Sequence, residues 1–222
     1  MRRATVYTVA VGIVAVGIVV IGAGVFAQNK PDAATYITKE QVDIVNKQQG
    51  TDRTISVLDI GHENFAVGVI HRGPTGAPAA AAGGAAGAGR GAAAPAAPEP
   101  CGDRSATPVP AGTPTGLYHD SQTEGYYIIS GAGTMVTGGR VVNGRKSAPE
   151  AAVTTTLNGP SCSGSIMGAD VVLRAVKQGD IIIIPAGVPH GWTTIPDHVD
   201  YLSFRPSQRV LTAGYVHPSI AK

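Results

Sequence analysis

Side chains able to do metal or acid–base chemistry are few in this 222-residue sequence, which holds six histidines and two cysteines. His119 precedes Glu124 by five residues, and His190 opens the run His-Gly-Trp-Thr-Thr. In an extended strand alternate side chains face one way, so residues 117 and 119 share a side, as do 190, 192 and 194. Tyr126 and Ile128 likewise share the face of Glu124. On inward faces, imidazoles and carboxylates are ligands for divalent ions. The competing reading is a hydrogen-bonded core histidine, with Glu124 paired to an arginine such as Arg174 or Arg205. Arg72 and Arg205 could also grip a substrate carboxylate bidentately if they point inward. His198 and His217 lie beside the turn and tail signals Pro196-Asp197 and Pro218 and take no role. No Ser-His-Asp or Cys-His hydrolase arrangement is recognisable.

The elements that would position these residues emerge from composition. Hydrophobic residues make up 43% of the chain, but only 5% is aromatic and 14% charged, with 30 Gly and 16 Pro, which excludes a charge-rich helical protein. The net charge of +2 comes from Arg2 and Arg3 alone, so the rest of the chain is balanced. That balance argues against a nucleic-acid partner. After those two arginines, residues 4–29 are uncharged and end in Val25-Phe26-Ala27-Gln28, which reads as a signal peptide over 1–27. An uncleaved anchor is the alternative, the one case in which a membrane is a partner. Either way the positive-inside rule puts the remainder across the membrane, periplasmic or secreted. In that compartment Cys101 and Cys162, each next to a loop-forming Pro or Ser, are expected to form a disulfide. Two cysteines 61 residues apart lack the pairing of a thiolate zinc site.

Residues 28–53 form an N-terminal segment in which Thr38 and Gln41 read as a capping box, predicting a helix over 39–49. Strands are expected over 54–60 and 65–71. Between 73 and 100 the chain is almost wholly Ala, Gly and Pro, a low-complexity insert predicted to be a disordered surface loop. Beyond it, strand candidates follow at 124–130, 133–136, 153–157, 171–176, 180–184, 191–195 and 199–205. Short strands at this spacing predict an antiparallel sandwich or barrel. Ile181 to Ile184 is apolar on both faces, as a strand at the centre of a double sheet would be. A phosphate-loop reading of Gly131-Ala-Gly133 fails for want of strand–loop–helix context.

Two stretches resemble the cupin superfamily. His119-Asp-Ser-Gln-Thr-Glu124-Gly-Tyr-Tyr-Ile-Ile-Ser-Gly131 is similar to the first cupin motif from its second histidine onward. Gly179 to Thr194, with Pro185, Gly187 and His190 in place, is similar to the second, departing only where Thr194 stands for the usual Asn. The resemblance covers about residues 115–206 and implies an all-β cupin jelly-roll barrel, preceded here by the short helix. The barrel domain would span 54–217, interrupted by the insert.

The resemblance further implies that His119, Glu124 and His190 are metal ligands, a set of two imidazoles and a carboxylate that suits Fe(II), Mn, Zn or Ni. Pro185 and Gly187 would form the turn that brings His190 inside. Leu117 stands where the family carries its first histidine, so one of four usual ligands is absent. His71 or His62 could replace it; otherwise they are surface or strand-end residues. Leu117, Tyr126 and Trp192 would line the pocket. The implied function is metal-dependent chemistry on a small molecule, of oxygenase, isomerase or decarboxylase type. The alternative is a non-catalytic cupin binding a sugar or organic acid, metal-free if the reduced ligand set holds no ion. The resemblance also implies a homodimer as one state of assembly.

Overall fold

The computed structural model describes residues 30–75 and 98–221. The expected export signal and most of the Ala/Gly/Pro insert lie outside them. Among the described residues no helix is long and apolar enough to cross a membrane.

The chain begins with α1 (Lys39–Asn46), opened by the expected capping box: Thr38 Oγ1 accepts from the Gln41 N–H, and the Thr38 N–H donates to Gln41 Oε1. The helix stops three residues before the expected 49 because Asn46 turns its amide to tertiary partners, accepting from Arg53 and donating to Asp200. Eleven strands follow: β1 (Asp52–Asp59), β2 (Asn64–Arg72), β3 (Pro100–Cys101), β4 (Thr115–His119), β5 (Glu124–Thr137), β6 (Arg140–Lys146), β7 (Ser161–Met167), β8 (Val172–Lys177), β9 (Ile181–Ile184), β10 (His190–Thr194) and β11 (Val199–Ser207).

The first sheet runs β1-β2-β11-β5-β9 and the second β8-β5-β10-β4-β7-β6-β3, with every strand pair antiparallel. One strand belongs to both. The N-terminal half of β5 pairs with β9 and β11 and its C-terminal half with β8 and β10. The sequence pattern predicts two strands here, broken at Gly131-Ala-Gly133. Instead the backbone bends without losing its ladder: Gly131 adopts φ +71°, and a Cβ there would sit 2.0 Å from the His198 carbonyl oxygen. The fold is all-β, an antiparallel jelly-roll barrel with one short helix.

Ile70, Tyr126, Ile128, Met135, Val176, Ile184, Ile195, Val199 and Tyr201 fill the barrel. Outside it, α1 lays Val45 and Val42 over Ile55, Val67 and Val69 on the outer face of β1 and β2. The outer edge of β1 is closed by the C-terminal tail, where Val57 donates to the Tyr215 carbonyl and His217 to that of Ile55.

Two further expectations about the elements are corrected. Residues 153–157 are not a strand: Thr154–Asn158 form a π-helical turn in which the threonine hydroxyls, exemplified by Thr156 Oγ1 at 2.7 Å from the Ala152 carbonyl, bond back along the chain. β9 is an edge strand and not central, with Ile181 and Ile183 left 70% and 66% exposed. β6 and β7, which the sequence pattern does not mark, lie between β4 and the two-residue edge strand β3 in the second sheet. The disulfide is present: Cys101–Cys162 ties β3 to β7 across a separation of 61 residues.

Candidate metal centre

β4 ends on His119, β5 begins on Glu124 and β10 begins on His190. Three strand ends therefore meet at one place inside the barrel. A contact between backbones permits it: at Gly116 a Cβ would lie 2.1 Å from the His190 carbonyl oxygen, so only glycine lets β4 and β10 approach this closely. The register there pairs Leu117 with His190. The turn expected around Pro185 and Gly187 is formed, with Val188 donating to the Pro185 carbonyl at 3.2 Å and Gly187 to the His119 carbonyl at 2.8 Å. That turn ties the two histidine-bearing segments together.

The three side chains are buried, with ligand-type atoms within 4.8 Å of one another. Glu124 Oε2 lies 2.8 Å from His190 Nε2 and 3.1 Å from His119 Nε2. Ligands held at about 2.1 Å from an ion on adjacent octahedral corners are about 3.0 Å apart, so these two edges match the carboxylate sitting next to each imidazole in a shared coordination shell. The His119 ring strengthens the fit. Both of its nitrogens are buried without an aligned hydrogen-bond partner, although Nε2 is close to the carboxylate. The His190 ring, by contrast, is oriented by Nδ1 against the Val188 carbonyl at 2.9 Å, which leaves Nε2 facing Glu124.

Glu124 is completely enclosed, and its two oxygens have different company. Oε1 is clamped by the Arg205 guanidinium, with the Ser203 hydroxyl at 3.5 Å; Oε2 faces both histidines and accepts from the Tyr126 phenol at 2.8 Å. Burial by itself would raise the carboxyl's pKa, but Arg205, His119 and His190 together hold it well below the usual carboxylate range. Burial lowers the His119 pKa, and Arg205 adds to this against the opposing pull of Glu124. Burial likewise pushes the Tyr126 phenol well up, with neighbouring Glu124 acting in the same sense. The result is an ionised carboxylate, a neutral imidazole and a neutral phenol at ordinary pH.

Arg205 is itself fixed on every nitrogen: Nε donates to Ser203 Oγ at 2.7 Å, Nη1 to Asn158 Oδ1 and Nη2 to Glu124. The arginine partner considered for Glu124 is thus Arg205, while Arg174 is exposed on β8. Asn158 and Ser203 were invisible to motif reasoning. Asn158 sits on the π-helical turn that had read as a strand, a device that recurs at functional sites.

Above the three residues a cavity of about 480 Å³ is lined by Leu117, Tyr126, Trp192, Asp52, Arg72, Asn158, Ser163 and Arg205, among others. Neither alternative histidine joins it. His71 pairs with Asp200 at 2.6 Å and is half-exposed, and His62 pairs with Glu63 on the surface. His198 contacts Asp197 and Ser130, and His217 contacts Ser219.

No family model matches the sequence, and no curated protein matches it. Among solved structures, the chain is similar to the Bacillus halodurans protein BH2720, with 12% identity over 85% of this chain and 92% of that one, at a TM-score of 0.38. An uncharacterised Klebsiella pneumoniae protein with a double-stranded β-helix domain aligns at 13% identity over 80% of this chain and 94% of its own, with a TM-score of 0.36. An oxalate oxidase aligns at 12% identity over 73% of this chain, with a TM-score of 0.32, and the alignment spans 54% of its length. The likeness to these solved structures is distant, at 12–13% identity.

Proposed function

We propose that this is an exported cupin that holds a divalent metal through His119, Glu124 and His190 and acts on a small molecule in the cavity above them. The observation that carries the reading is the convergence of two buried imidazoles and a buried, ionised carboxylate, one imidazole having no other aligned partner. Bound there, Fe(II), Mn, Zn or Ni would supply Lewis acidity or oxygen activation, with coordination positions open to substrate. The protein's own residues do the rest. Arg205 keeps Glu124 ionised, Tyr126 fixes which oxygen faces the histidines, and Trp192 and Leu117 give the entry an apolar wall. The Cys101–Cys162 bond favours an oxidising compartment and so supports export.

The second reading, a metal-free binding protein, draws on Glu124 being fully satisfied by Arg205, Tyr126 and His190. Elemental analysis separates the two. The purified chain should carry one equivalent of a first-row metal that disappears in His190→Ala; metal-free wild type whose melting temperature does not move on addition of Fe(II), Mn, Zn or Ni refutes the metal reading.

A further inference from the structure

The cavity contains one cation that the metal centre does not use. Arg205 lines it but has every nitrogen committed to Glu124, Ser203 and Asn158. Arg72, at the end of β2, is different. Its Nε donates to the Tyr201 phenol at 3.1 Å, Nη2 is a loose 3.4 Å from Asp52 Oδ1, and Nη1 meets no protein acceptor among the described residues. The side chain is 34% exposed, so it stands at the cavity's rim while His119 and His190 stand at its base.

The position of Arg72 is set and not accidental. Tyr201, which orients its Nε, is 1% exposed and packs its ring 4.3 Å from Tyr126 and 5.8 Å from Trp192. Tyr126 in turn bonds Glu124. One aromatic stack therefore connects the guanidinium at the rim to the carboxylate at the base and covers the wall between them. A guanidinium oriented by a phenol, weakly paired and with a free edge is built to take a planar anion through two parallel N–H donors. Charge points the same way. Arg72 and Arg205 balance Asp52 and Glu124, so a divalent ion at the three-residue site leaves the cavity with two uncompensated positive charges. A cavity of about 480 Å³ falls in the lower half of the range for small-molecule sites, too small for a polymer.

We propose that the ligand of this cavity is a small organic carboxylate, its carboxyl group held by Arg72 at the rim, its apolar part against Trp192 and Tyr126, and its far end presented to His119, Glu124 and His190. Asp52 is displaced from its 3.4 Å contact when the carboxylate binds. This rests on the metal-centre reading for what happens at the far end, but the anchoring itself does not require the ion.

Calorimetric titration tests it with propionate and benzoate against propionamide and benzamide, on wild type and Arg72→Gln, each with manganese added and after chelation. The acids should bind wild type at least about tenfold more tightly than the amides, and Arg72→Gln should lose that preference while leaving amide binding and manganese content unchanged. Acids and amides binding alike, no acid binding at millimolar concentration, or an acid preference that survives Arg72→Gln overturns the proposal. A preference that persists in Arg72→Gln but vanishes on chelation assigns the carboxylate to the metal, so the anchor fails and the metal centre stands. A preference that needs Arg72 in a protein that takes up none of Fe(II), Mn, Zn or Ni leaves the anchor standing and sinks the metal centre.

Discussion

Replacing Arg205 by methionine tests whether the guanidinium is what makes Glu124 a permanent anion. The carboxylate is 0% exposed and Arg205 3%, so water cannot take over when the partner goes. Removing one member of such a buried pair costs about 3–5 kcal/mol, because the remaining charge is left uncompensated. Losing the donors to Asn158 Oδ1 and Ser203 Oγ falls within that figure. In a chain of this length it corresponds to a fall of roughly 6–20 °C in melting temperature. The sign of the pH dependence should also change. In wild type the Glu124 pKa is depressed below its unfolded value, so its contribution to stability is present above about 4.5 and lost as pH falls through the folded value. Without Arg205, burial dominates and the folded pKa rises, so the variant is instead destabilised as pH rises through the unfolded value. Urea titrations of chelated wild type and variant from pH 4 to 7.5 measure both effects, and manganese, by restoring positive charge, should raise the variant's midpoint more than the wild type's. A loss below about 1 kcal/mol at pH 7, or parallel pH profiles, would refute the account of the clamp.

Other expectations follow from the same geometry. Leu117→His adds an imidazole on the strand face of His119, opposite His190 in the register, and should tighten manganese binding at least about tenfold in a competition titration; unchanged affinity would mean that position 117 does not face the ion. In chelated wild type, His119 stays neutral when folded while an unfolded imidazole titrates near 6.5, so protons favour the unfolded chain and stability should fall as pH drops below about 6.5. His119→Gln should flatten that segment of the urea profile, and a slope that survives the substitution assigns it to another group. Reducing Cys101–Cys162 opens a 61-residue loop and should cost about 4 kcal/mol by chain entropy, read as a lower urea midpoint with dithiothreitol; alkylation of the untreated chain at either cysteine would show the bond absent in solution.

His119, Glu124 and His190 were legible as a candidate set through the resemblance of their two stretches to known motifs, and the antiparallel barrel through short strand candidates bounded by turn residues such as Gly131, Pro185 and Gly187. The helix start was legible for the same reason, its cap being closed by side chains three residues apart. Residues 153–157 misled because β-branched composition is also tolerated in a helical turn when hydroxyls bond back to the preceding carbonyls and Leu157 can pack against Val57 and Ala66. Ile181 to Ile184 misled because an apolar run states what the side chains are and not how many strands lie beside them.

By itself, then, the sequence determined the residue types of the site and the order in which the chain presents them, since these depend on short spacings and turn chemistry. Only the tertiary structure decided that Arg205 and not Arg174 neutralises Glu124, that Asn158 and Ser203 hold that arginine, and that Arg72 faces the cavity with an edge unpaired. Those contacts join residues up to 129 positions apart, through strand registers and close backbone approaches that no local pattern encodes.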